Sequence, residues 1–267
     1  MTDLRITLAS NARALVVPGP PAGQPELWLN SPAVVLRSVA PGGPLDDVPA
    51  TATDGPPDEK RTVGSEAWLW GDDEVWRFDA DSGVLAFATL NLPEVNTDVD
   101  LGLREWDQAP AIAGTLRLEQ LEDFSRPPTA VRWFDSAGTS LVGWYSPEPP
   151  PAQPLHRVTL ADRTHLLVAA DTVVGWTIND PARYITGEAV PPSVRGTDTD
   201  ARLPHLLATF FSLVTEENVD KLEEGDSRVR FDLEQLAARL ETVGSEGEPR
   251  AVEVLAKVRQ VLEDFGS

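Results

Sequence analysis

The sequence predicts an α+β fold, with a mainly antiparallel β region over residues 1 to about 195 and a three-helix region over residues 196–267. Three observations carry this expectation. Short β-branched or aromatic runs, each closed by turn residues, recur up to residue 178. All eight Trp lie before residue 177. Beyond residue 203 the apolar residues fall into helical spacing instead. The expected seam between a β-rich, Trp-containing domain and a helical C-terminal domain or cap is EAVPPSVRGTDTD, Glu188 to Asp200, whose Pro pair, Gly and short polar residues favour turns.

In chain order, the expected strands are Leu4–Leu8, Ala14–Val17, Glu26–Leu29, Ala33–Val39, Ala67–Trp70 and Glu74–Phe78. Val84–Leu90, Ala130–Phe134, Ser140–Tyr145, His156–Leu160, His165–Ala169 and Thr172–Ile178 complete the set. Two hairpins are legible, VWRFDADSGVLAF from Val75 to Phe87 and VRWFDSAGTSLVGW from Val131 to Trp144. Each sets aromatic strand residues around an Asp-containing turn that ends in Gly, where positive φ costs nothing. They resemble each other at a separation of 56 residues, which raises an internal duplication, with no third copy to suggest a propeller. Pro41 to Glu59 is too polar and too rich in Pro and Gly for a sheet and reads as a long loop. Ser146 to Pro154, SPEPPPAQP, reads as a polyproline II connector. The segment TLRLEQLEDF, ahead of Arg126, Pro127 and Pro128, reads as a short helix.

The first tail helix follows from Leu203, Leu206, Leu207, Phe210, Phe211 and Val214, spaced i, i+3, i+4, i+7, i+8 and i+11, with Pro204 admissible in its first turn. A second is expected to start at Asp232, whose carboxylate can cap it while Gln235 reaches back, and to stop at Gly244, with Leu233, Leu236, Ala237 and Leu240 inward. A third starts with Pro249 and stops at Gly266, burying Val252, Leu255, Leu262 and Phe265.

Composition narrows the function. The 43 Asp and Glu against 22 Lys and Arg give a net charge of −21. Both regions share the excess: residues 196–267 hold 16 acidic and 8 basic side chains. A surface this acidic repels phosphates, so neither nucleic acid nor an anionic membrane is an expected partner. With no Cys, disulfide scaffolds, thiolate metal sites and cysteine nucleophiles drop out. The start, MTDLRITLASNARALVVPG, lacks a basic cluster followed by a long apolar run, and no stretch of about 18 apolar residues occurs. A cytoplasmic location is expected.

Familiar catalytic motifs are incomplete. Gly138-Thr139-Ser140-Leu141-Val142-Gly143 is one residue too long for a nucleophile elbow and lies in a hairpin. Phosphate-cradling glycine loops are missing. His156, His165 and His205 lack metal-ligand spacing, although His156 and His165 could meet across adjacent strands with Asp162 or Asp171. Asp79-Ala80-Asp81-Ser82-Gly83 opens like a calcium loop but has Val84 where the sixth-position Gly belongs, so a hairpin turn explains it better. No catalytic, cofactor-binding or metal-ligating residue is therefore assigned.

Two features remain as binding candidates. Asp72, Asp73, Glu74, Asp79 and Asp81 crowd five carboxylates into ten residues, which favours a nearby cation or basic partner. They could equally form a solvated edge that deters strand addition. Trp68 and Trp70 share a strand face, with Trp76 on the next strand, as a core wall or as a platform for sugar rings. The leading expectation is a non-catalytic protein-binding module, immunity- or inhibitor-like, that recognises a basic protein through these eight residues. The alternatives are a carboxylate-based hydrolase or carbohydrate binder using the Trp68/Trp70/Trp76 face, and a structural subunit whose helical tail docks onto another chain.

Overall fold

A computed structural model describes residues 4–21, 23–37, 61–65, 74–97, 103–148 and 154–265. The chain is α+β, a β-rich region followed by a helical tail. Alternation of apolar and polar residues drives the first two strands, β1 (Arg5–Ala9) and β2 (Ala12–Pro18), which pair as a hairpin. They begin a closed six-stranded barrel that continues through β8 (Ala111–Leu118), β11 (Leu155–Ala161), β12 (Thr164–Ala169) and β13 (Thr172–Asn179). Parallel pairing of β13 with β1 shuts the ring, and β8 with β11 is the other parallel pair in an otherwise antiparallel order. Ile6, Leu8, Ala14, Val16, Leu116, Leu118, Val158, Leu160, Leu166 and Val168 are buried at alternate strand positions and belong to one core cluster.

A five-stranded antiparallel sheet forms beside it from β3 (Glu26–Trp28), β4 (Ala33–Arg37), β5 (Thr62–Ser65), β6 (Val75–Asp79) and β7 (Leu85–Asn91), in the order β3-β4-β7-β6-β5. The two anticipated hairpins, β6–β7 and β9 (Val131–Phe134) with β10 (Ser140–Trp144), therefore stand in different sheets, the second attached to β13. In both turns an Asp organises the chain. Asp79 Oδ1 accepts from the amides of Asp81 and Ser82, and Asp135 Oδ1 accepts from Ser140 N at 2.8 Å. Gly138 closes the second turn at φ +74°, pressed against the Pro204 carbonyl of the tail, where no Cβ fits.

One sequence expectation in the β-rich region is overturned. The helix expected in TLRLEQLEDF is absent: Thr115–Leu118 complete β8 and the rest is irregular, because Leu116 and Leu118 bury on one face while Arg117 is exposed. Strand β5 carries Gly64 within TVGS and is too short to leave a pattern. The expected strand Ala67–Trp70, the loop Pro41 to Glu59 and most of the Pro-rich connector lie outside the described residues. A short helix, α1 (Leu103–Gln108), precedes β8, and its Trp106 packs on Trp144 at 6.0 Å between ring centroids.

The tail has four helices. α2 (Leu203–Leu213) buries Leu203, Leu206, Leu207, Phe210 and Phe211, the anticipated stripe, with Pro204 in its first turn. α3 (Glu216–Glu223) escapes periodicity because Leu222 is its single buried residue, yet Thr215 caps it by accepting from Asn218 N. α4 (Ser227–Ser245) starts five residues before Asp232: Asp226 is the cap, accepting from Arg228 N at 2.7 Å and Val229 N at 3.1 Å. α5 (Pro249–Phe265) buries Ala251, Val254, Leu255 and Val258, leaving Val252 39% exposed because it sits a helical step of 100° away from that stripe.

The seam is pinned to α5. Buried Arg250 pairs with Glu248 and donates to the carbonyls of Thr197 at 3.0 Å and Asp198 at 2.9 Å. Ala189 N donates to Glu253. One cluster of buried residues runs from Ile6 in β1 to Val258 in α5, so barrel, sheet and helices share a core. Among the described residues no helix is long and apolar enough to cross a membrane.

Candidate functional site

The residues singled out by sequence separate. Trp68, Trp70, Asp72 and Asp73 lie outside the described residues. Glu74 and Trp76 are interior, 1% and 0% exposed. Neither offers its side chain to a protein surface, and Trp76 offers no face to a sugar. Burial is tolerable for Glu74 because both carboxylate oxygens are bonded. Oε2 accepts from Trp76 Nε1 at 3.1 Å and from the Tyr145 hydroxyl, while Oε1 accepts from Thr129 Oγ1 and from Asn91 N at 3.3 Å. The Arg126 guanidinium balances the charge, with Nε 3.5 Å from Oε2. It lies 4.0 Å from the Tyr145 ring centroid and 5.1 Å from that of Trp76, and donates to the Leu8 carbonyl. Trp176 Nε1 donates to Thr129 Oγ1 at 3.1 Å. Burial first, then the neighbouring Glu74, pushes the Tyr145 hydroxyl well above the usual phenol value, with Arg126 opposing. This network links β6 of the five-stranded sheet to β13, the end of β10 and the Arg126–Thr129 segment.

Asp79 and Asp81 sit on the β6–β7 turn. Hydrogen bonds from Ser82 hold the Asp79 carboxyl below its usual value, so that carboxylate is committed to the turn. Asp81 is exposed. Strand register also separates the histidines. His156 lies opposite Val168 and His165 opposite Thr159, an offset of three residues, so the two rings point to opposite sides of the sheet. His165 Nδ1 is 2.9 Å from Thr159 Oγ1, and Asp162 accepts from the Tyr184 hydroxyl at 2.6 Å. Among the described residues no group of three or more His, Asp or Glu is placed to hold a metal ion.

A different acidic site emerges where the tail meets the five-stranded sheet. A cavity of about 260 Å³ opens between the β3–β4 turn, the segment after β7, the end of α2, α3 and α5. Its apolar lining comes from Phe210, Phe211, Val214, Val219, Val261 and Phe265. Glu94, Glu216, Asp220 and Asp264, all exposed, contribute carboxylates from three segments of the chain. None of the four makes an ion pair within 4 Å among the described residues. Val95, 52% exposed, extends the apolar surface beside Glu94.

Two cations complete the wall, Arg132 and Lys257. Arg132 is 1% exposed: Nε donates to Asn96 Oδ1 at 2.7 Å, and Nη2 donates to the carbonyls of Phe211 and Val214 at 2.5 and 2.8 Å. It thereby closes the C-terminal end of α2, where a cation suits the helix dipole. Burial lowers its pKa to about 10, against the raising effect of Glu94, so it stays charged at neutral pH. Lys257 Nζ donates to Gln260 Oε1 at 2.5 Å, and burial lowers its pKa too.

Sequence reasoning missed this site because its acids are scattered from residue 94 to 264, and only folding gathers them. Glu216 and Asp220, four apart on one helix face, were the sole local signal. No family model, no curated protein and no solved structure matches this chain.

Proposed function

We propose that the chain is a non-catalytic, cytoplasmic binding protein that recognises a basic protein partner, as an immunity protein or protein inhibitor does. The observation that carries this reading is the group of four carboxylates, Glu94, Glu216, Asp220 and Asp264, left without ion pairs around an apolar opening. Gathering like charges costs free energy that a cationic partner returns on binding. The net charge of −21 adds a long-range field that speeds the encounter with a basic protein and disfavours phosphate-bearing ones. The Glu74 network supports the non-catalytic side of the reading, since its carboxylate oxygens are consumed by internal donors.

The test is isolation of the protein with its bound partner from native cells, followed by kinetics of the reconstituted pair. A basic partner whose association rate falls steeply from 0.1 M to 1 M salt is expected, as the Debye length drops from about 10 to about 3 Å. An acidic partner, or an association rate indifferent to salt, would overturn the reading.

A further inference from the structure

We infer that the cavity between α2, α3 and α5 is the docking point for one large apolar side chain of the partner, carried on a segment whose flanking residues are Lys or Arg. This rests on the proposed recognition of a basic protein and specifies where and how it happens. Size comes first. At about 260 Å³ the cavity falls below the roughly 300–1,000 Å³ of pockets that enclose drug-sized molecules, and suits a side chain. Its lining decides the chemistry of what enters. Phe210, Phe211, Val214, Val219, Val261 and Phe265 gain from covering by hydrocarbon.

Charge then orders the partner from inside to outside. A cation driven to the bottom would meet Arg132 and Lys257, and an anion would have to pass the four exposed carboxylates, Glu94, Glu216, Asp220 and Asp264. An uncharged side chain pays neither cost. Around it, Glu94, Glu216, Asp220 and Asp264 await positive charge. The result is an apolar anchor within a charged rim, the arrangement in which central residues set dissociation and rim residues set encounter.

A synthetic amphipathic peptide of leucine and lysine, its scrambled isomer of identical composition, and a leucine–glutamate version serve as probes of the full-length protein. Binding is read by calorimetry and by amide hydrogen exchange. The leucine–lysine amphipath should bind more tightly than its isomer and should protect amides in residues 216–220 and 257–265. Val219→Gln should weaken it at least tenfold, mainly through faster dissociation. Replacing Glu94, Glu216, Asp220 and Asp264 by Gln or Asn should slow association and flatten its salt dependence. Phe265→Ser, in the last turn of α5, is a second apolar variant should Val219→Gln fail to fold as judged by circular dichroism. Equal binding of the scrambled isomer, tighter binding of the leucine–glutamate peptide, or protection confined to other residues would overturn the inference. So would self-association of the protein that these variants abolish, because a second copy would then fill the cavity. If instead the natural basic partner binds with salt-dependent association yet ignores the cavity variants, the docking point is wrong and the functional reading survives.

Discussion

The indole of Trp176 lies across Gly143, its partner in the register of β13 and β10; a Cβ on Gly143 would sit 2.4 Å from the ring. One step along, the relationship inverts: Trp144 covers Gly175, where a Cβ would come within 2.7 Å of its ring. Each Trp thus lies flat on the sheet because the residue opposite has no side chain. The two Trp–Gly pairs occupy opposite sheet faces, with Trp176 in the main core and Trp144 in the cluster with Trp106.

Gly143→Ala and Gly175→Ala should each destabilise the protein by about 1–3 kcal/mol through overpacking. Gly19→Ala, where nothing lies within 4 Å, is the control and should be nearly neutral. Urea denaturation followed by Trp fluorescence measures all three. A neutral Gly143→Ala would mean that the strands can part without cost.

These tryptophans show what the sequence makes legible. Hairpins and the α2 stripe are local, with period and turn residues within a few positions of each other, so they can be read directly. The partnership of Trp176 with Gly143 joins β13 directly to β10, two strands separated in the chain by β11 and β12, and strand order leaves no local trace. The same distinction explains the acidic sites. Crowding between Asp72 and Asp81 looks like a surface from composition, yet folding sends Glu74 inward to Arg126 and commits Asp79 to its own turn. The acids at the groove are scattered from residue 94 to 264, and only Glu216 and Asp220 share a local spacing.

Tail packing has a contrast built into it. Leu207 in α2 is fully buried, so Leu207→Ala should cost about 2–5 kcal/mol. Val252 in α5 is 39% exposed, and Val252→Ala should stay within about 0.5 kcal/mol of the parent. Equal costs by urea denaturation would contradict the assigned inner face of α5.

His165 supplies a pH dependence. Burial, with Arg157 acting in the same direction and Asp107 against it, lowers its pKa to about 4, whereas the unfolded chain titrates near 6.5. Between these values the unfolded state binds more protons, so stability is present above pH 6.5 and declines as pH falls toward 4. The loss should be on the order of 1–3 kcal/mol. In His165→Gln that contribution disappears, and the difference between parent and variant stability, measured by denaturation at pH 7, 5.5 and 4, should shrink or reverse. A constant difference across this range would show that His165 does not titrate this way.

Arg250 should behave as the tie between seam and tail. Arg250→Met removes the donors to Thr197 and Asp198 and leaves Glu248 buried beside Asp200 N without its cation. Loss of a buried partner costs about 3–5 kcal/mol. Hydrogen exchange should accelerate first at residues 194–200, ahead of the barrel strands. Uniform acceleration across the chain would instead make Arg250 a contributor to the whole core rather than a local tie.

The Glu74–Arg126 pair permits the sharpest test of what holds the two sheets together. Glu74→Gln keeps the shape of the side chain but leaves the Arg126 guanidinium buried between Trp76 and Tyr145 without a counter-charge. Arg126→Met keeps much of the bulk and leaves the Glu74 carboxylate, although its bonds from Trp76, Tyr145 and Thr129 soften that loss. Each single change should cost about 3–5 kcal/mol, with Glu74→Gln the more damaging because Arg126 then keeps the Leu8 carbonyl and the two ring faces but no counter-charge. The double variant removes both charges, so its cost should be well below the sum of the singles, a coupling of about 1–3 kcal/mol by the thermodynamic cycle. Urea denaturation of the four proteins at pH 7 measures it. Additive costs would mean that the 3.5 Å approach of Arg126 to Glu74 contributes no attraction, and that the neutral donors around Glu74 carry its burial alone.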